Sequence, residues 1–294
     1  MRASHFLGAF LVTLLVACGA PPRPGGGGDD DDGGPDANVG GNEDNCSDAA
    51  KLIYVVDSNN TLSKFDPITK TFNDLGRLQC PASFGATPFS MGIDRNATAW
   101  VLYSSGELFR VDTTSLACMK SPWTAQNGLQ QFGMGFSTNA AGGTEDTLFV
   151  AGGSLGPISS TSTLATIDVN SFNSQRVGTI QGSPELTGTG NAELWGFFPD
   201  AGGSKVAQLD KTSGNVIKTF PLNQLAGTPS AWAFAFHGGD FYIFLAKGSE
   251  EFTTWYQLDG MTGQIKDQRA TNNRTIVGAG VSTCAPIVIG KTQR

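Results

Sequence analysis

A repeat that occurs five times constrains this chain more than any other feature. A run of alternating apolar residues ends in Asp, and three positions later comes Thr or Ser. The first copy runs from Leu62 through Phe65 and Asp66 to Thr69, the second from Leu108 through Asp112 to Ser115. The others run from Leu164 through Asp168 to Ser171, from Val206 through Asp210 to Ser213, and from Trp255 through Asp259 to Thr262. The Asp residues are 46, 56, 42 and 49 positions apart. A period of that length marks an array in which each repeat is one supersecondary unit. Each copy reads as a half-buried strand entering a turn, where the Asp side chain caps local backbone amides.

The surroundings of each copy complete the unit. A more hydrophobic run precedes it, at 52–56, 99–103, 148–151, 193–198 and 241–246. Before most of those lies a run rich in small residues, at 89–94, 132–137, 185–190 and 232–237. A poorer strand follows the Asp motif, as at 71–75, 175–180 and 216–221. Four antiparallel strands per repeat make one propeller blade. The first repeat lacks its innermost strand, while the chain carries a spare one at 275–282. Pairing the two completes a fifth blade and removes an exposed sheet edge. The expected fold is therefore all-β, a five-bladed β-propeller closed by its N- and C-terminal strands. Six irregular blades or a β-sandwich are the alternatives. Innermost strands crowd around the axis, which accounts for Gly92, Gly135, Gly188, Ala235 and Gly280.

These repeats resemble the PQQ-like and YVTN-type propeller repeats of exported bacterial proteins, in which Leu-x-x-Asp-x-x-Thr-Gly precedes the outer strand. The resemblance covers residues 50–285 and implies architecture only. The chain departs from the PQQ-dependent enzymes in blade number and in lacking a Trp-docking motif, so their cofactor does not carry over and none is expected.

Composition agrees. With 15% charged residues and 39 Gly, the chain is charge-poor and Gly-rich, which suits short strands and turns and excludes a long coiled coil. Only two His are present. His5 falls in an N-terminal export signal, leaving His237, so multi-His metal sites are excluded and no metal is expected.

Arg2 supplies a positive n-region, and 6–16 form an apolar stretch too short to span a bilayer. It ends in Leu15-Val16-Ala17-Cys18, which resembles the lipobox of bacterial lipoproteins. The resemblance implies cleavage before Cys18, lipidation of its thiol and acylation of its amino group. Gly19, where Asp would signal inner-membrane retention, implies the outer membrane. The expected organisation is a signal peptide at 1–17, a lipidated Cys and flexible tether at 18–45, and a propeller at 46–294. Positions 19–48 hold eight acidic residues and Arg23, a sum of −7 that equals the net charge of the whole chain. The folded part is nearly neutral and has no basic face for nucleic acid.

Four Cys remain beyond Cys18, and an even count in an exported protein points to two disulfides. Cys46 precedes the first strand and Cys284 follows the last, so a bridge between them would pin the closing blade. Cys80 and Cys118 fall on the outer edges of adjacent blades. The expected pairs are Cys46–Cys284 and Cys80–Cys118.

Candidates for chemistry are few. Gly152-Gly153-Ser154-Leu155-Gly156 matches Gly-x-Ser-x-Gly by letter, but no helical period follows it as a nucleophile elbow requires. Asn59, Asn96 and Asn273 open Asn-x-Thr triplets that read as turns. Asp94, Ser137, Gly190 and His237 end four innermost strands and would ring one channel mouth. Glu185 stands in the column of Phe89, Phe132, Trp232 and Val277, a carboxylate where the other blades carry apolar residues. Asp94, Ser137, Glu185 and His237 are thus the ligand-binding candidates. The expected role is a non-enzymatic, monomeric binding module for a glycan or an envelope protein. The alternative is a glycoside hydrolase or lyase using Glu185 and Asp94, with His237 a further catalytic candidate.

Overall fold

In each of the five repeats the motif Asp makes the same turn. Asp66 Oδ1 accepts from the amides of Ile68 and Thr69 at 2.7 and 3.2 Å. Asp112, Asp168, Asp210 and Asp259 repeat the pair of bonds to the second and third residues beyond them. The turn then closes through a residue in the left-handed region: Lys70, Leu116, Phe172, Gly214 and Gly263. Such a turn reverses the chain after one strand and starts the next.

The computed structural model describes residues 46–154, 160–271 and 273–288. The expected signal peptide at 1–17 and the expected lipidated Cys18 and tether at 18–45 lie outside the described residues, as do Leu155 and Gly156 of the Gly-x-Ser-x-Gly match. Five four-stranded antiparallel sheets make up the fold. Blade 1 contains β1 (Ile53–Asp57), β2 (Thr61–Asp66) and β3 (Thr71–Arg77). Blade 2 contains β4 (Pro88–Ile93), β5 (Thr98–Tyr103), β6 (Leu108–Asp112) and β7 (Cys118–Lys120). Blade 3 contains β8 (Gln131–Thr138), β9 (Asp146–Gly153), β10 (Thr161–Ile167) and β11 (Ser174–Gln181). Blade 4 contains β12 (Glu185–Gly188), β13 (Leu194–Phe198), β14 (Ser204–Leu209) and β15 (Val216–Leu222). Blade 5 contains β16 (Pro229–His237), β17 (Asp240–Lys247), β18 (Thr254–Asp259) and β19 (Ile265–Ala270). The last strand, β20 (Ile276–Gly280), returns to blade 1 and pairs antiparallel with β1, Val55 opposite Ala279. The chain is a five-bladed β-propeller closed by its two terminal strands, as the repeat predicts.

Alternation explains the packing. Both faces of a middle strand meet a neighbouring blade, so successive side chains serve two different cores. Phe241, Ile243 and Leu245 of β17 join the core shared with blade 4, while Tyr242 and Phe244 join the core shared with blade 1. Tyr54 and Val56 of β1 likewise face blade 2 while Ile53 and Val55 face blade 5. Each of the five junctions between blades holds one such apolar cluster. Trp123, Trp195 and Trp255 are buried within them, as core packing requires.

The innermost strands pack side by side in the order β20, β4, β8, β12, β16 and back to β20. A Cβ on Gly188 would sit 2.1 Å from the Phe136 carbonyl oxygen, and one on Gly135 would lie 2.8 Å from the backbone of Leu186 and Thr187. Only Gly lets these backbones approach so closely. The same contacts show β8 and β12 running in one direction, so the strands share an entry mouth and an exit mouth.

Both expected disulfides are formed, Cys46–Cys284 joining positions 238 apart in sequence and Cys80–Cys118 joining positions 38 apart.

Candidate functional site

The two mouths differ. Residues 281–288 leave β20 and cross the exit mouth. Thr283 donates to Asp146 Oδ2 at 2.7 Å, the Gly238 amide donates to the Pro286 carbonyl at 2.6 Å, and Gly190 lies against Thr283 and Ile287. Arg95 bonds Asp146 at 3.2 Å and the Gly143 carbonyl at 2.7 Å. Ser282 donates to the Ala50 carbonyl, and Cys46–Cys284 fastens the crossing segment to the start of the first blade.

Three of the sequence candidates stand at this covered mouth, each with local partners. Asp94 caps its own hairpin, accepting from the Asn96 and Thr98 amides at 2.9 Å through one oxygen and from Trp100 Nε1 through the other. Ser137 is fully buried and donates to the Glu193 carbonyl at 3.0 Å, with Lys211 reaching the neighbouring Thr138 carbonyl at 2.7 Å. His237 shares a hydrogen bond with the Lys51 carbonyl at 3.1 Å through Nε2. A carbonyl only accepts, so Nε2 carries the proton, and the buried Nδ1 has no protein partner. Burial pushes the imidazole below its usual range, against the pull of the Lys51 carbonyl. His237 also borders a cavity of about 760 Å³ walled by Leu52, Phe65 and Ile68 on blade 1.

Glu185 stands at the other end. It opens β12 at the entry mouth, where a cavity of about 210 Å³ lies among the first residues of β4, β12, β16 and β20. Half-buried Phe89, Trp232 and Val277 wall it, and Thr87, Ser104 and Ser230 bring polar groups to it. Glu185 is 3% exposed. Its Oε2 accepts from Ser90 Oγ at 2.8 Å, and the Met134 amide donates to the same carboxyl. Burial holds the carboxyl well above the usual carboxylate range, outweighing both donors.

This arrangement separates the two carboxylates of the hydrolase alternative. Glu185 bonds Ser90, whereas Asp94 follows four residues further along the same strand, roughly 13 Å at strand rise. Asp94 also points its oxygens into its hairpin. Glycosidase carboxyl pairs stand about 5 to 9.5 Å apart. The structure does not bring Glu185 and Asp94 together. Sequence reading singled out Glu185 by its odd column but missed Ser90 as its partner and the mouth formed by Phe89 and Trp232. The available signal was that all three sit at the starts of innermost strands. Among the described residues, no group of three His, Cys, Asp or Glu could hold a metal ion, and no helix is long and apolar enough to cross a membrane.

No protein-family model matches the chain, and no curated protein matches it. Solved structures with a similar fold include a chain of a nidogen/laminin complex, with 11% identity, 78% of this chain and 97% of that chain covered, and a TM-score of 0.47. A protein of unknown function from Bacteroides caccae shows 13% identity over 78% of this chain and 97% of its own, with a TM-score of 0.45. The calcium-binding protein regucalcin from Agrobacterium tumefaciens shows 10% identity over 80% of this chain and 76% of its own, with a TM-score of 0.43.

Proposed function

We propose that this chain is a lipid-anchored binding module of the outer membrane, whose propeller takes a glycan at the entry mouth of its channel. The observation that carries the reading is the cavity itself. Apolar and aromatic walls from Phe89 and Trp232, with a few convergent polar groups, are the usual make-up of a small-ligand site. A half-buried indole can cover a sugar face while Ser230, Ser104 and Glu185 meet hydroxyls. At the exit mouth Asp94 and Ser137 are engaged by local partners, and Asp146 is engaged by Thr283 of the crossing segment. The anchor rests on Leu15 to Cys18, and the acidic tether would hold the propeller away from the membrane surface.

A thermal-shift screen of the purified chain against a glycan panel tests the reading. A specific shift that Trp232→Ala removes supports it. A flat response across the panel, together with an envelope protein captured by cross-linking at this mouth, replaces the glycan with a protein ligand. Metabolic labelling with a palmitate analogue tests the anchor, and label retained in Cys18→Ala refutes it.

A further inference from the structure

We propose that the entry-mouth site selects a ligand bearing a protonated amine, which pairs with the Glu185 carboxyl beside the rings of Phe89 and Trp232. The inference rests on reading this mouth as a glycan site, and it names the sugar class as amine-bearing.

Among the described residues three acidic side chains are buried, and their surroundings differ. Asp57 accepts from two backbone amides, those of Asn59 and Thr61. Asp240 has the Lys266 ammonium at 2.9 Å. Glu185 has one hydroxyl and one amide, no cation, and a cavity against it. The elements packed on it present Ser90 from β4, Gly133 and Met134 from β8, Phe197 from β13 and Trp232 from β16. None of these is titratable or charged. Burial without a counter-charge favours the protonated acid, and an incoming ammonium would supply the missing charge. A carboxylate offers about four acceptor sites, of which the protein uses two, so ammonium protons have places to bond. The half-buried rings at the rim add attraction for a cation. A volume of about 210 Å³ admits one sugar-sized group.

The pairing has a signature in pH. Below the pKa of Glu185 the amine must displace the carboxyl proton, so affinity rises with pH across the acid range while the amine stays charged. Calorimetric titration of the purified chain between pH 4.5 and 6.5 tests this. The probes are a trimer of glucosamine with free amines, its fully N-acetylated counterpart, and butane-1,4-diamine. The amine trimer is expected to bind more than tenfold tighter than the acetylated one, with affinity rising as pH rises. Glu185→Gln is expected to remove both the preference and the slope while staying folded and melting no lower than the wild type. Equal affinity for the two trimers, or a preference that survives in Glu185→Gln, overturns amine selection and leaves the glycan reading standing. Binding of the diamine without either trimer overturns the glycan reading and leaves the amine pairing. Failure of all three probes overturns both. Should Glu185→Gln not fold, the slope on the native protein decides, and a flat slope overturns the proposal.

Discussion

Replacing Cys46 and Cys284 together by Ser removes the disulfide that holds the propeller's closure. Blade 1 is assembled from both ends of the fold, with β20 on β1 through a short register from Tyr54 opposite Gly280 to Asp57 opposite Ile276. The bridge joins residues 238 apart, so in the unfolded chain it closes a very long loop. The chain-entropy relation puts its contribution at about 5.5 kcal/mol. The same relation gives about 3.9 kcal/mol for Cys80–Cys118, whose ends are 38 residues apart. Urea unfolding of the two double-Ser variants measures both. With a slope of about 3 kcal/mol per molar urea, the Cys46/Cys284 variant should lose roughly 2 M in midpoint, and the Cys80/Cys118 variant less. Hydrogen exchange should find β20 and β1 amides exposed first in the former, because closure fails before the other blades do. If the Cys80/Cys118 variant is the less stable of the two, or if β20 keeps its protection without the bridge, the closure argument is wrong.

Three further outcomes are expected. Gly188→Ala should cost about 3 kcal/mol or more in urea unfolding, since its Cβ meets backbone that cannot rotate away; a neutral result would mean β8 and β12 are not packed as described. Glu185 keeps a proton in the folded state that the unfolded chain releases near 4.5, so wild-type stability should fall as pH rises through and above that value. Glu185→Gln should flatten that fall and gain relative stability towards neutral pH, and a variant weakest at neutral pH would contradict the assignment. Asp146→Ala should cost about 3 kcal/mol, because it strips Arg95 and Thr283 of a shared, nearly buried carboxylate; limited proteolysis should then cut within 281–288, and an unchanged cleavage pattern would count against the crossing segment as a strap.

The architecture was legible because the fold is built from local signals repeated five times. Asp66, Asp112, Asp168, Asp210 and Asp259 each cap the amides next to them, and a bond between near neighbours in sequence leaves its trace in sequence spacing. The disulfides followed from the same count of strands, since blade order places Cys46 by Cys284 and Cys80 by Cys118. The candidate site was only half legible. Glu185 stood out as a carboxylate in an apolar column, but its partner Ser90 lies 95 residues earlier. The grouping of Asp94, Ser137 and His237 at one mouth could be read from strand ends. That residues 281–288 lie across that mouth could not, because those residues carry no periodicity.

What the sequence by itself determined is the blade, the number of blades and the way the ring closes. Short-range hydrogen bonds and period-two burial specify each blade within about fifty residues, while the count and the closure follow from the repetition, with an innermost strand missing at the start and a spare one at the end. Tertiary structure alone decided which mouth is covered, which carboxylate meets a cavity, and that Glu185 and Asp94 stay apart. Those outcomes depend on where five separate strands begin and end around one axis. Burial, and the electrostatics that follow from it, belong to that assembled ring and to no single segment of the chain.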